Sequence, residues 1–249
     1  MNISAYLERI NYRGELVPTI ETLGALQLAH LRAIPFENLS IHENEPIVLQ
    51  EESLFDKIVT RKRGGFCYEL NGLFASLLRE LGFNVAMLSA GVAKDVGGFG
   101  PDFDHMTLMI SLNERWLVDV GFGDSFQQPL LIDRRDVQSQ GEHSYQMDDD
   151  GNYLILKEKR KESEWKSQYR FTLYACGLSD YEEMCRYHQT SPQSTFTQKR
   201  LCSLAKPNGR ITLSDMRLIE TIGNEKQERI LSDESEYTVT LEKEFGIIL

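Results

Sequence analysis

"RGGFCYELN", from Arg63 to Asn71, is the stretch on which the reading of this chain turns. A Gly-Gly pair is followed, after one aromatic residue, by a cysteine. From there the apolar residues fall at helical intervals, at Leu70, Leu73, Phe74, Leu77, Leu78 and Leu81, and Gly82 is the expected terminator. Cys67 is therefore expected in the first turn of a helix, where backbone N–H groups are unpaired and the macrodipole is positive. That position favours a thiolate and is expected to hold the thiol below its ordinary pKa of about 8.5. The glycines suit a tight turn and would let a substrate approach the backbone. Two readings stand: a nucleophile presented at a helix mouth, or a small hydrophobe packed under the helix.

Upstream the sequence is helical in pattern. "SLFDKIVT" (Ser53 to Thr60) offers Ser53 as an N-cap and Leu54, Phe55 and Ile58 at helical spacing. Downstream the period changes. "NVAMLSAGVA", "DHMTLMISL", "ERWLVDVGF", "HSYQM", "NYLILKEK" and "WKSQYRFTL" read as strands joined by hairpins, which implies an antiparallel sheet or small barrel. "SDYE" (Ser179 to Glu182) is a capping box opening a helix to about Gln189. "RLCSLA", "KPNG" and "RITLSD" form another expected hairpin, and a short helix is expected over Glu234 to Glu244. Three parts follow from these shifts in pattern: residues 1–83 helical, 84–190 β, and 191–249 mixed, with no linker composition to separate them.

A thiol nucleophile needs a base, and the base needs an orienting group. Of the five histidines, His105 in "FDHMTL" stands at the start of an apolar strand, where its ring could face a cleft. Asp119 lies in the apolar "WLVDVGFG", where a carboxylate is costly unless paired; the alternative is a strand-end residue near solvent. Side chains alternate along a strand, so a two-residue loop at Asn113-Glu114 would put His105 and Asp119 on opposite faces. A three-residue loop, Leu112 to Glu114, pairs Ser111 with Arg115 and makes His105 and Asp119 diagonal neighbours on one face. The "GFGDS" that follows, Gly121 to Ser125, reads as a loop allowing a ligand close to backbone, without the third glycine of a dinucleotide fingerprint.

The totals narrow the function. The 249 residues carry a formal net charge of −11 and a pI near 5.0, which argues against nucleic acid and anionic membrane surfaces as partners. "MNISAYLERINYRGE" has no apolar signal-peptide region, and no run reaches the length of a membrane span. The four cysteines, Cys67, Cys176, Cys185 and Cys202, have no CxxC or zinc-like spacing, so free thiols in a reducing cytoplasm and no metal are expected.

Taken together, "PFENL" (Pro35 to Leu39), "RGGFCYELN", "HMTL", "VDVGFG", "TSPQSTF" (Thr190 to Phe196) and "GRITL" (Gly209 to Leu213) resemble the arylamine N-acetyltransferases, in order and over nearly the whole chain. The resemblance implies an α+β fold with a cysteine-protease-like core: an N-terminal helical bundle, a central antiparallel β-barrel and a C-terminal α/β lid. It implies a catalytic triad of Cys67, His105 and Asp119, the set reached above from the residues. It also implies ping-pong transfer of acetyl from acetyl-CoA, through acetyl-Cys67, to an arylamine, arylhydrazine or arylhydroxylamine, and a place in xenobiotic metabolism. Phe122 and Gly123 match the family's loop beside the cleft, where acceptor and CoA arm meet, and Arg63 is implied to pair with Glu37 in a buried structural salt bridge. Two rival readings of the same residues are a thiol hydrolase and a binding protein without turnover. The acceptor, the acyl-chain preference and the oligomeric state are not specified by these motifs.

Overall fold

The computed structural model describes residues 1–161, 163–223 and 225–249. The first part is helical: α1 (Ile3–Arg9), α2 (Ile20–Ala33), the short α3 (Leu39–His42), α4 (Glu51–Phe55) and α5 (Cys67–Glu80). Asn2 and Thr19 cap α1 and α2 by accepting N–H groups of their first turns, as side-chain oxygens at N-caps do. Arg9 at the end of α1 ties this part together. Its guanidinium donates to the carbonyls of Ile58 (3.0 Å), Ala33 (2.8 Å), Lys62 (3.2 Å) and Arg63 (3.3 Å). The chain entering the Gly-Gly turn is thus held by a side chain from the first helix.

The segment expected to be capped by Ser53 folds differently. α4 begins three residues earlier, after Gln50, and widens into a π-helical turn over Asp56–Thr60. The widened turn carries Lys57 inward, where it is buried with Ile58 and Val59. α5 runs from Cys67 to Glu80 as its spacing predicts, with Gly82 beyond it at φ +87°. Nearly all of its residues through Leu78 are buried, because it lies between the other helices and the sheet.

An eight-stranded antiparallel sheet follows, with strand order β5-β4-β3-β2-β9-β8-β7-β6. Its strands are β2 (Asn84–Val92), β3 (His105–Ser111), β4 (Arg115–Val118), β5 (Leu130–Leu131), β6 (Gln138–Gln140), β7 (His143–Asp150), β8 (Tyr153–Arg160) and β9 (Lys166–Cys176). β9 shifts register against both neighbours, which lets the sheet curl. The sheet is a nearly closed barrel, and side chains bridge the gap between its edges. The Gln138 amide accepts from Leu131 N–H (2.8 Å) and donates to its carbonyl (2.9 Å), and the Gln140 amide does the same work for Gln127 and Gln128. β3 is buried on both faces. Met106, Leu108 and Ile110 pack on the helices, while Tyr145, Met147, Leu156, Tyr169 and Phe171 fill the barrel. That is why "DHMTLMISL" reads as a near-continuous apolar run.

A 3₁₀ turn (Leu178–Tyr181) leads into α6 (Glu182–Thr190) and α7 (Thr195–Gln198). The expected "SDYE" box is replaced by Asp180, which accepts the Gly177 N–H at 2.7 Å. The last part is an antiparallel sheet, β1-β10-β11-β12-β13, covered by α8 (Glu234–Thr240) and a π-helical turn (Leu241–Phe245). Its strands are β10 (Leu201–Lys206), β11 (Gly209–Ser214), β12 (Arg217–Ile222), β13 (Glu225–Ile230) and β1 (Phe36–Glu37). β10 and β11 are the expected hairpin. β1, from "PFENL", crosses from the helical part to pair with β10, Phe36 opposite Ser203 and Glu37 opposite Cys202.

Candidate active site

Asp119 follows the end of β4 and is buried. A carboxylate there needs donors, and it has four. Oδ2 accepts from His105 Nε2 at 2.7 Å and from the Tyr169 hydroxyl at 3.1 Å. Oδ1 accepts from Asn71 Nδ2 and from the Gly121 N–H, both at 2.9 Å. The hairpin supplies the parity. Ser111 pairs with Arg115 across the three residues 112–114, and the ladder continues to Leu108 opposite Val118. Beyond it Thr107 Oγ1 donates to the Val118 carbonyl at 3.2 Å, so His105 and Asp119 meet on one face.

The contact fixes the imidazole's roles. Nε2 is taken by Asp119, so Nδ1 is the nitrogen left to exchange a proton with a thiol. The ring is walled by Phe122 and by Tyr169, each with its ring centroid at 5.1 Å. Phe122 also packs on Tyr169 at 5.0 Å.

Cys67 opens α5 directly after the Gly-Gly turn. The backbone amide of Met106, the residue after His105, acts to lower the pKa of its thiol. The thiol is nonetheless buried, and burial pushes its pKa well above the ordinary value; the Met106 N–H acts downward and the Asp119 charge adds to the rise. The helix mouth alone therefore does not make a standing thiolate, contrary to the expectation from sequence. A thiolate here would need a compensating positive charge close by.

The two glycine motifs serve backbone packing. A Cβ on Gly64 would collide with the carbonyl oxygen of Pro35, and one on Gly121 would lie 2.7 Å from Cys67 Cα. So "RGGF" admits the "PFENL" backbone: Glu37 N–H donates to the Gly65 carbonyl at 2.9 Å. "GFG" admits the start of α5 at Gly121. Gly123 stands beside the Phe36 ring, 3.9 Å from the place a Cβ would take.

Arg63 and Glu37 do meet, with Nε 3.3 Å from Oε1, both buried. They belong to a larger cluster. Arg63 reaches Glu43 at 3.0 Å, Lys57 reaches Glu69 at 2.7 Å, and Lys57 also approaches Glu37 at 3.9 Å. Burial raises the Glu37 pKa, but Lys57 and Arg63 outweigh it and hold the carboxyl below its usual value. Glu69 accepts the Phe66 N–H at 3.0 Å with its second oxygen, so the cluster ends on the first turn of α5.

Sequence reasoning missed Asn71, Tyr169, Lys57 and Glu69. Asn71 had a signal: it is four residues from Cys67 and so shares its helix face. Besides Asp119, it donates to the Met106 carbonyl (2.7 Å) and accepts the Val120 N–H (2.9 Å), joining α5 to β3 and to the loop after β4. Lys57 had one too, as a cation within an apolar helical run. Tyr169 and Glu69 stand in patterns that do not distinguish them from neighbours.

Similarity to known proteins agrees with this arrangement. A family profile described as N-acetyltransferase matches residues 19–249. An arylamine N-acetyltransferase of Gallus gallus, pineal gland isozyme NAT-3, is 35% identical over 100% of this chain and 95% of its own length. The arylamine N-acetyltransferase of Escherichia coli (strain K12) is 33% identical over 98% of this chain and 88% of its own. Among solved structures, Mycobacterium marinum arylamine N-acetyltransferase in complex with CoA superposes with a TM-score of 0.91 at 32% identity, covering 99% of this chain and 93% of that one. With a cysteine helix, a histidine strand and an aspartate loop converging in a fold shared with these enzymes, the chain belongs to the arylamine N-acetyltransferase family of acyltransferases.

Proposed function

We propose that the protein transfers acetyl from acetyl-CoA to arylamines, arylhydrazines and arylhydroxylamines through acetyl-Cys67, with His105 as proton carrier and Asp119 as its partner. The observation that carries this reading is the 2.7 Å contact of Asp119 with His105 Nε2, which leaves Nδ1 to work beside the mouth of the cysteine helix. Cys67 gives its proton to Nδ1, and the thiolate adds to the thioester carbonyl. Backbone N–H groups at the start of α5, that of Cys67 among them, stabilise the oxyanion. The carbonyl re-forms as CoA leaves with the proton from His105. In the second half the amine nitrogen adds to acetyl-Cys67 and loses its proton to Nδ1. The Cys67 thiolate is then the leaving group and is reprotonated. Phe122, whose ring walls His105, and Gly123 beside it are assigned to the meeting place of acceptor and CoA arm.

Asp119 serves this cycle by holding one tautomer of His105 and stabilising its imidazolium, and Tyr169, Asn71 and Gly121 hold Asp119 in turn. No step requires a metal. Four free thiols suit a reducing cytoplasm, and among the described residues no helix is long and apolar enough to cross a membrane.

The test is intact mass after incubation with acetyl-CoA alone. One acetyl group on the parent and none on Cys67→Ser, both folded, is the expected result. Steady release of acetate with no acetyl-enzyme would favour a hydrolase. Turnover by a folded Cys67→Ser protein would remove the nucleophile assignment.

A further inference from the structure

The loop after Asp119 is anchored at both ends. Asp119 takes the Gly121 N–H, and Phe126 is buried in the barrel against Tyr145, its carbonyl accepting from Gln27 Nε2 at 3.3 Å. Between these anchors stand Phe122, whose ring walls His105, and Asp124. The Asp124 carboxylate faces two guanidinium groups from separate sheets. Arg160, the last residue of β8, donates to Oδ2 at 2.8 Å, and Arg210 Nε of β11 lies 3.2 Å from Oδ1. Each arginine is fixed on its own sheet: Arg160 Nε lies 3.3 Å from Glu158, and Arg210 Nη1 donates to Ser203 Oγ at 2.9 Å. Partial desolvation pushes the Asp124 pKa up, although the side chain is 48% exposed, and the two arginines outweigh it and hold the carboxyl below its usual value.

We propose that Asp124 is a positioning residue for acetyl transfer: by joining barrel to C-terminal sheet, it holds Phe122 against His105. The inference rests on the acyl-transfer reading above. Without the carboxylate, the two arginines repel, and between its anchors the loop keeps only the packing of Phe122 on Tyr169 and His105. Phe122 then samples positions away from the imidazole. Acetyl-Cys67 still forms, since Cys67, His105 and Asp119 keep their own contacts. The second half-reaction suffers, because the aromatic wall that seats the amine beside His105 has moved and water gains access to the thioester.

Asp124→Asn, Arg160→Met and Arg210→Met are compared with the parent by three measurements. These are acetyl on Cys67 by intact mass, single-turnover transfer to an aniline, and acetate release without acceptor. All variants are expected to become acetylated. Transfer by Asp124→Asn should slow about tenfold, within the range that small misplacements cost. Its ratio of acetate release to transfer should rise. Adding Arg210→Met to Asp124→Asn should cost less than the product of the single effects, as for residues in one network. A folded Asp124→Asn with the parent's transfer rate and the parent's ratio overturns the proposal. If that variant does not fold, the two arginine variants decide, since each leaves Asp124 one partner: a raised ratio in both supports it, and an unchanged ratio in both overturns it. A parent that takes no acetyl sinks the acyl-transfer reading and this inference with it; an acetylated parent beside unchanged variants sinks the inference alone.

Discussion

Asp119 is a carboxylate whose four contacts all converge on the orientation of one imidazole. Replacing it by asparagine keeps the shape but offers His105 an amide in place of an anion. In a serine-protease triad the equivalent change costs about 10⁴-fold through the wrong tautomer, and a loss of similar order is expected in acylation here. Because thiolate in this buried site depends on imidazolium, the alkylation rate of Cys67 in Asp119→Asn should fall at neutral pH and recover only at higher pH. Alkylation with an unmoved pH profile would remove Asp119 from the triad. At this scale the sequence was informative for Cys67, His105 and Asp119, since each breaks a local pattern: a thiol after Gly-Gly, a ring opening a strand, a charge within an apolar run. It was silent on Tyr169, a tyrosine in an alternating strand like any other. It misjudged the thiol's pKa because burial depends on what packs over the helix start, which local spacing does not record.

Among the elements, α5 was legible from its period and its Gly82 terminus, and the β3–β4 hairpin from parity. β5 and β6, of two and three residues, fall below any window in which alternation can be counted. β13, "EKQERI", is exposed throughout and so carries no apolar alternation; like β12 beside it, it was not foreseen. The π-helical turn was invisible because its apolar spacing reads as an ordinary helix, while in the structure it carries Lys57 to Glu69. That pairing bears on Arg63. Arg63→Ala leaves Glu37 buried beside Lys57 alone, a loss of about 3–5 kcal/mol. Thermal or urea unfolding should show it before any specific defect in acetyl-Cys67 formation. Arg63→Met with Glu37→Leu should recover much of the loss, because the Lys57–Glu69 pair survives. An Arg63→Ala protein as stable as the parent would show that the cluster does not hold the helix entry.

For the whole molecule, pH acts through a histidine outside the site. His30 on α2 is fully buried, its Nδ1 2.8 Å from the Tyr6 hydroxyl and its ring edge-on to Phe74 of α5. Burial, with the Arg9 charge adding to it, lowers its pKa to about 3. The unfolded chain therefore binds a proton near pH 6.5 that the folded chain refuses until about pH 3. The His30 contribution is present in full above the unfolded value and is lost progressively as pH falls through that window. From pH 7 to pH 5 the loss is about 2 kcal/mol. Denaturant titrations at the two pH values should show this difference, and His30→Gln should lack it; an equal slope in both proteins would place the acid sensitivity elsewhere.

The order in which the chain is made bears on the "PFENL" strand. β1 leaves the ribosome early, yet its partner β10 is synthesised only after the entire barrel. Until then the Pro35–Glu37 backbone that seats against Gly64 and Gly65 has no sheet to hold it. Contacts between residues so distant in sequence form slowly. Competence to accept acetyl should therefore be a late event in refolding, lagging the recovery of helical signal. A chaperone that shields the early helices would serve activity by waiting for the last sheet to arrive.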